Sequence, residues 1–243
     1  MEKYTITNKT PSKPRRKKMT KPSNPVVPIP QILENGLILI KKGVSVEDQV
    51  KIAKISKDMS EKFKISAKAR FRIYDALTTY SNQEYLTELA NKFINLANNV
   101  DKTILTDSPT HLLFLRYEKG SRLGLHRDDG DNDGKGLNPV VSFSIGNACD
   151  FIYKHQHTDI DNEIRLESGD VLLFGGNCRH MLHKVRKVHQ KTCLPDVRRI
   201  VGDCRLNLTF RHAPEILGQE KNFEVFNYKM SKFFKSSKNN KQK

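Results

Sequence analysis

Residues 205–211 (RLNLTFR) alternate strictly between polar and apolar side chains, and this segment constrains the fold more than any other. In an extended strand, successive side chains point to opposite faces, so the three apolar residues share one face. The polar residues share the other face: Arg205, Asn207, Thr209 and Arg211. An ordinary half-exposed strand would turn this polar row toward water, and the alternation taken alone favours that placement.

The alternative places the polar row on the inner wall of a barrel. There two guanidiniums and an amide would converge on a small dianion, because the planar fork of arginine holds carboxylates through paired, charge-assisted hydrogen bonds. The preceding residues are typical of a β-rich barrel or sandwich, since short β-branched and aromatic runs are separated by Gly, Asn and Asp. These runs predict strands over 111–117, 140–146, 148–155, 162–176, 183–188 and 204–212.

The part of the chain before residue 111 has a helical pattern instead. Ser45 is predicted to cap a helix whose apolar residues recur every three or four positions. A second amphipathic helix is predicted after residues 81–84 (SNQE), which match a capping box. Residues 36–40 (GLILI) predict a short strand before both helices. The expected fold class is therefore mainly β with flanking helices (α+β).

Most of the net charge of +16 lies near the two ends of the chain. Residues 1–30 carry eight Lys or Arg and one Glu, and residues 229–243 carry six Lys and no acid. Both segments are expected to be disordered basic tails, because they are polar and cannot bury enough apolar surface. One folded domain is expected over 31–228, since 243 residues suffice for a single core.

Other features bear on location and assembly. Residues 13–18 (KPRRKK) resemble a nuclear-import signal, although such a run also binds phosphates without sequence choice. No apolar stretch approaches the roughly 20 residues that span a bilayer. The cysteines form no CxxC pair, and reduced, partly buried thiols are expected at Cys149, Cys178, Cys193 and Cys204. A monomer in the nucleus, the cytoplasm or both is expected, with no membrane association.

His126, Asp128 and His183 form a candidate metal site. A His and an Asp at i and i+2 of an extended segment lie on one side, and a second His would complete three ligands on one face of an octahedral ion. Such a facial triad suits non-haem Fe(II). Spacing alone does not single out His183, because His180 is nearby. Residues 155–161 (HQHTDID) could form a second metal site, but their polar surroundings favour a solvated loop.

The order of these segments resembles the AlkB family of Fe(II)- and 2-oxoglutarate-dependent dioxygenases. The resemblance covers roughly residues 31–212 and is closest after residue 111. The matching segments are 115–117 (LRY), 125–128 (LHRD), 140–146 (VVSFSIG), 169–176 (GDVLLFGG), His183 and 203–211 (DCRLNLTFR). An Arg-x-Asn-x-Thr-x-Arg strand downstream of the HxD motif and a later His is characteristic of this family.

The resemblance implies a double-stranded β-helix, or jelly roll, that uses Fe(II), 2-oxoglutarate and dioxygen. It implies His126, Asp128 and His183 as the catalytic iron ligands. It also implies which residues hold 2-oxoglutarate: Tyr117, Arg205, Asn207 and Arg211. The implied reaction decarboxylates 2-oxoglutarate to succinate and hydroxylates an N-methyl group on a nucleic-acid base, such as 1-methyladenine or 3-methylcytosine. The hydroxylated base then loses formaldehyde, as in the repair of alkylated DNA or RNA.

Nucleic acid is therefore the expected partner, and a base inside a duplex must be extruded before it can react. The resemblance places His126 beneath the flipped base. Phe71 and Tyr74, together with Tyr80, are candidates for stacking on the base, and packing between the two helices is the alternative for each of them. The basic tails would raise the affinity without adding sequence choice.

The chain departs from the family pattern at three positions. Leu115 stands where the family has Asn, and Gly130 stands where the best-known bacterial member has an acid. Phe174 replaces the Trp of a Trp-Gly-Gly motif. Two other functions stay open: a dioxygenase acting on a protein side chain or a small molecule, and a nucleic-acid-binding barrel without catalysis. The sequence does not distinguish DNA from RNA, or one methylated base from another.

Overall fold

The computed structural model describes residues 28–62, 70–128, 137–214 and 217. Most of the expected N-terminal tail and all of the expected C-terminal tail lie outside these residues, so their disorder stays a prediction. Within the described part of the chain, no helix has the length and apolarity needed to cross a membrane.

The described residues form short strands interrupted by helices. In chain order the elements are β1 (Pro30–Glu34), β2 (Leu37–Ile40), α1 (Val46–Lys62), β3 (Phe71–Ala76), α2 (Gln83–Val100), β4 (His111–Tyr117), β5 (Leu123–His126), β6 (Val140–Gly146), β7 (Cys149–Lys154), β8 (Asn162–Leu166), β9 (Val171–Phe174), β10 (Leu182–Val188), α3 (Pro195–Val201) and β11 (Arg205–Arg211). Two 3-10 turns, Leu77–Thr79 and Gly176–Cys178, follow β3 and β9.

These strands form two antiparallel sheets. The larger has seven strands in the order β1-β2-β9-β6-β11-β4-β3, and the smaller has four in the order β5-β10-β7-β8. From β4 to β11 the chain passes back and forth between the sheets, which is the arrangement of a jelly roll. The predicted double-stranded β-helix with flanking helices is confirmed.

Each face of the larger sheet packs against a different apolar cluster. On one face lie the three helices, and at the centre of that cluster the ring of Phe143 contacts those of Phe93 and Phe210. The opposite face meets the smaller sheet through residues such as Leu113 and Phe151. Because the sheet is covered on both sides, every residue of its inner strands β4, β6 and β11 is buried.

The first predicted helix begins where its cap was expected. The backbone N–H of Asp48 donates to Ser45 Oγ over 3.0 Å. The predicted capping box of the second helix is wrong, because α2 has Asn82 as its N-cap and no side-chain hydrogen bond there. The backbone of the preceding 3-10 turn replaces that bond, since the N–H of Gln83 donates to the carbonyl of Tyr80.

The predicted strand over 162–176 consists of two strands in different sheets. The chain turns between β8 and β9 at Gly169, which has a φ of +92°. Next to it, the buried carboxylate of Asp170 accepts hydrogen bonds from Lys41 Nζ over 2.6 Å and from the backbone N–H of Lys42 over 2.9 Å. This turn therefore fixes β9 against β2. The elements β1, β3, β5 and α3 were not predicted.

Phe143→Ala should destabilise the fold by about 3–5 kcal/mol, because the ring is fully buried and truncation leaves a cavity between α2 and the larger sheet. Ile160→Ala is the control, since that side chain is 89% exposed and its loss should change the free energy of unfolding by less than about 0.5 kcal/mol. Urea unfolding followed by circular dichroism measures both values. A loss below about 1 kcal/mol for Phe143→Ala would contradict the packing described for this face.

Candidate active site

Two histidines and an aspartate meet at one end of the smaller sheet. His126 ends β5, Asp128 follows two residues later, and the antiparallel pairing of β5 with β10 places His183 directly opposite His126. One ligand atom from each of the three lies within 4.8 Å of the others. Nε2 of His126 is 3.5 Å, and Nε2 of His183 is 3.8 Å, from the Asp128 carboxylate. This donor set fits one face of an octahedral Fe(II) ion.

Both imidazoles are oriented by backbone carbonyls. Nδ1 of His126 donates to the carbonyl of Gly124 over 2.8 Å, and Nδ1 of His183 donates to that of Met181 over 3.2 Å. A carbonyl oxygen only accepts, so the Nδ1 atoms carry the protons. In the neutral rings, each Nε2 therefore has a lone pair available for a metal ion.

Two aromatic walls surround His183. Its ring centroid lies 5.5 Å from that of Phe151 and 5.3 Å from that of Phe174. Burial lowers the pKa of His183 to about 4, so the imidazole is neutral and able to bind a metal at physiological pH. Burial also acts to lower the pKa of His126, but the carboxylate of Asp128 outweighs it and that pKa is raised.

Asp128 is the buried anion of the site. Arg211 Nη2 lies 2.7 Å from its carboxylate, and Arg179 Nη1 donates to its backbone carbonyl over 2.6 Å. Burial acts to raise the pKa of Asp128, but the hydrogen bond with His126 and the charge of Arg211 hold this pKa well below its usual range. The carboxylate is therefore ionised, as a metal ligand must be.

The polar row of β11 faces the interior between the two sheets, so the half-exposed placement considered above is wrong. The side chain of Arg205 is 1% exposed and donates through Nη2 to Ser144 Oγ over 3.1 Å. Its Nε and Nη1 are buried and have no hydrogen-bond partner within residues 28–62, 70–128 and 137–214. Buried donors of a cation are costly to leave unsatisfied. A carboxylate is the acceptor they lack, so the residues present fit 2-oxoglutarate.

Tyr117 lies next to this arginine. The two residues are paired across β4 and β11, and the guanidinium carbon of Arg205 is 5.9 Å from the centre of the Tyr117 ring. Burial raises the pKa of Tyr117 to about 12, so its phenol stays protonated and can donate a hydrogen bond. The predicted pair of cosubstrate residues thus occupies one end of the interior.

Asn207 lies between Arg205 and Arg211 on the same face, but its amide already has partners. Nδ2 donates to Ser142 Oγ over 2.8 Å and to the carbonyl of Phe143 over 3.0 Å, and Oδ1 accepts from Thr209 over 3.1 Å. Its amide therefore braces β11 against β6, and its contact with 2-oxoglutarate stays a prediction. Across from it on β4 lies Leu115, the departure from the family pattern, within the apolar cluster between the sheets.

Two of the three candidates for base stacking, Phe71 and Tyr74, lie on opposite faces of β3, and the third, Tyr80, is buried in the apolar cluster on the helix side. Phe71 is buried on the helix side and stacks on Phe114 with ring centroids 5.7 Å apart, so its side chain does not reach the site. Tyr74 is half-buried on the other face, 5.4 Å from the ring of His111 and 5.7 Å from the guanidinium carbon of Arg211. The structure thus brings only Tyr74 of this pair next to the predicted site residues.

Arg179 is a site residue that sequence reasoning missed. Its side chain is buried and donates through Nε to the carbonyl of Asn138 over 2.7 Å, in addition to its bond with Asp128. From the turn after β9, it therefore fixes the backbone at Asp128. An arginine in an irregular turn has no spacing that distinguishes it, so only the three-dimensional contact identifies it.

Comparison with protein families agrees with this geometry. Residues 42–211 match the 2OG-Fe(II) oxygenase superfamily, and this span contains all of the metal and cosubstrate candidates. Among solved structures, the chain is similar to OsALKBH1, with a TM-score of 0.65 and 26% sequence identity over 75% of this chain and 100% of that one.

Curated relatives match over shorter spans. DNA N(6)-methyladenine demethylase ALKBH1C of Arabidopsis thaliana is 46% identical over 103 residues, which is 39% of this chain and 22% of the relative. Alpha-ketoglutarate-dependent dioxygenase AlkB of Escherichia coli (strain K12) is 33% identical over 106 residues, 43% of this chain and 46% of the relative. The chain thus matches half or less of the length of these relatives. Family match, fold and site together assign the chain to the 2OG-Fe(II) oxygenase superfamily and, within it, to the AlkB family.

Proposed function

We propose that this chain is an Fe(II)- and 2-oxoglutarate-dependent dioxygenase that removes N-methyl groups from nucleic-acid bases by oxidation. The observation that carries the proposal is the buried guanidinium of Arg205, with unsatisfied donors, in the same interior as the cluster of His126, Asp128 and His183. A dianion and a metal ion are the ligands that these two groups require. Its location in the nucleus, the cytoplasm or both, and its monomeric state, remain predictions.

Each residue has a defined task in this proposal. His126, Asp128 and His183 would hold the iron on one face, and Arg205 would bind one carboxylate of 2-oxoglutarate. Arg211 would serve the other end of the cosubstrate, next to Asp128, with which it forms an ion pair. When bound, iron supplies the oxidation of the methyl group coupled to decarboxylation of 2-oxoglutarate. The protein positions the reactants and excludes water.

The overall reaction balances with these components. One oxygen atom of dioxygen enters succinate as 2-oxoglutarate loses carbon dioxide, and the other converts the N-methyl group to N-hydroxymethyl. The nitrogen–carbon bond of the N-hydroxymethyl group then breaks, the hydroxyl proton passes to the nitrogen through solvent, and formaldehyde leaves. The products are the unmethylated base, formaldehyde, succinate and carbon dioxide.

The mouth of the site suits a nucleotide. The imidazole of His126 is 35% exposed, and the exposed guanidinium of Arg72 lies close enough to act on it electrostatically. Arg127, between the two metal ligands, is also exposed. Cations at the rim attract the phosphate backbone, while a partly exposed ring next to the metal can contact a flipped base. These features support a nucleic-acid substrate over a small molecule.

We further propose methylated adenine in DNA as the first substrate to test. Two relatives that are similar to part of this chain are named DNA N(6)-methyladenine demethylases. Incubation with Fe(II), 2-oxoglutarate and ascorbate should remove a methyl group from at least one member of an oligonucleotide panel. The panel contains N6-methyladenine, 1-methyladenine and 3-methylcytosine in matched DNA and RNA, single- and double-stranded, and mass spectrometry reads the product. Succinate formation with a peptide and no change in any oligonucleotide would contradict the substrate class.

His183→Ala should lower demethylation by more than about 100-fold, because it removes a direct ligand of the iron. Losing only a residue that hydrogen-bonds to a metal ligand typically costs about 10- to 100-fold in activity. The measurement is formaldehyde release at saturating 2-oxoglutarate. His180→Ala is the matched control, since that histidine is nearby in the chain but exposed, and its activity should stay within about twofold of the original. Full activity of His183→Ala would show that the metal assignment is wrong.

Arg205→Lys should raise the KM for 2-oxoglutarate by about tenfold or more, because a point charge replaces the planar fork. Thermal unfolding gives a test that does not depend on turnover: 2-oxoglutarate with Mn(II) should raise the Tm of the original chain more than that of the variant. The monoacid 2-oxobutyrate should raise the Tm of both chains equally. It lacks the carboxylate at the end away from the metal, which is the one assigned to Arg205. Equal stabilisation of both chains by 2-oxoglutarate would exclude Arg205 from the cosubstrate site.

A further inference from the structure

A second group of metal-binding side chains lies outside the iron site. Glu34, His155 and Cys178 each offer one ligand atom, and the three atoms lie within 4.8 Å of one another. Nε2 of His155 is 2.9 Å from the Glu34 carboxylate, and the thiol of Cys178 donates to the carbonyl of Asn35 over 3.3 Å. The carboxylate, imidazole and thiol come from three separate parts of the chain and belong to none of the residues assigned to the dioxygenase reaction.

The fold holds these parts together closely. Gly36, in the turn between β1 and β2, has a φ of +89°, and an added Cβ would lie 2.3 Å from the carbonyl oxygen of Gly175. That contact brings Glu34 against the 3-10 turn that ends at Cys178. The N–H of Gly36 also donates to the carboxylate of Asp101 over 2.7 Å, which fixes the turn from the end of α2. These backbone contacts hold Glu34 near Cys178 before any ion binds, and the side-chain contact between His155 and Glu34 adds the imidazole.

The charges around the thiol favour a cation. Cys178 is 1% exposed, and burial together with the negative charges of Glu34 and Asp101 raises its pKa to about 12. In the absence of an ion the sulfur therefore keeps its proton. A divalent metal ion would offset the repulsion between a thiolate and the two carboxylates, and binding would release the thiol proton to solvent. Thiolate and Glu34 together would balance the two positive charges of the ion.

We propose that Glu34, His155 and Cys178 bind a divalent transition-metal ion, with zinc preferred, at a site separate from the iron site. Thiolate, imidazole and carboxylate are all zinc ligands, and zinc sites with three protein ligands take water as the fourth. The iron site has no sulfur donor, and thiolate selects softer ions than its carboxylate and imidazoles do. A cavity of about 610 Å³, lined by residues that include His155 and Asn177, would supply the water and the path of entry.

The second site is linked by hydrogen bonds to the segment that carries His126 and Asp128. Arg127 Nη2 donates to the carbonyl of His155 over 3.1 Å, and Arg127 lies between the iron ligands His126 and Asp128. Arg179, the residue after Cys178, donates to the carbonyl of Asp128. An ion that fixes His155 and Cys178 would therefore restrain the segment carrying two of the three iron ligands. The ion would thus act on the iron site through the contacts of Arg127 and Arg179.

Cobalt(II) tests the proposal because a cobalt–thiolate bond produces a charge-transfer band in the near ultraviolet, which imidazole and carboxylate ligands do not. The experiment uses the full chain with His126→Ala and Asp128→Ala, which removes the iron site and leaves the second one. We expect this chain to bind one equivalent of cobalt(II) with the thiolate band, and zinc to displace it. The chain without these substitutions should bind two equivalents. Absence of the band in both chains would overturn the proposal.

Three further substitutions in the same background locate the site. Cys178→Ala should abolish the band, whereas Cys204→Ala should retain it. Cys204 is also a buried thiol that donates to a backbone carbonyl, but within the described residues it belongs to no group of three metal-ligating side chains. His155→Gln changes a side chain that is 42% exposed, so the fold is expected to persist while the cobalt affinity falls by about tenfold or more. Retention of the band in Cys178→Ala, or unchanged affinity in His155→Gln, would place the ion elsewhere and overturn the proposal.

Discussion

The burial of a guanidinium inside the jelly roll is the constraint on which the rest of the site depends. Arg205 lies on β11, which is flanked by β4 and β6 in the middle of the larger sheet, so its charge cannot reach bulk water. The cost of removing such a charge from water is large unless an anion compensates it. Within the described residues, the only hydrogen-bond partner of the Arg205 guanidinium is the hydroxyl of Ser144. An anion bound next to Arg205 would therefore offset the cost of burying its charge.

Asp128 connects the polar row of β11 to the two histidines. Its carboxylate faces both histidines and also contacts Arg211, which belongs to the same polar row as Arg205. The candidate metal ligands and the candidate cosubstrate residues are thus joined by one ion pair, between Asp128 and Arg211. A change at Arg211 should therefore affect metal binding as well as cosubstrate binding, in contrast to a change at Arg205.

Local pattern predicted part of this molecule, and non-local contacts determine the remainder. The apolar runs at His111–Tyr117 and Val140–Gly146 gave the strand bounds that the structure shows, and the prediction over 204–212 placed β11 to within one residue at each end. The edge strand Pro30–Glu34 and the short strand Leu123–His126 have no such signal, since none of their residues is buried and they form strands only through their partners. The direction of the polar row could not be decided without the opposite sheet. The grouping of Cys178 with Glu34 and His155 could not be predicted either, because these residues are far apart in the sequence.

The two halves of the active site belong to different layers of the sandwich. The candidate ligands His126 and His183 lie on the smaller sheet, whereas the two arginines and Tyr117 lie on the larger one. A diacid held by the arginines and coordinated to the metal would bridge the two layers. Every occupied molecule would then resist separation of its layers, so thermodynamic linkage should make cosubstrate occupancy and global unfolding mutually dependent. Catalytic competence and resistance to denaturation would rise and fall together as cellular 2-oxoglutarate levels change.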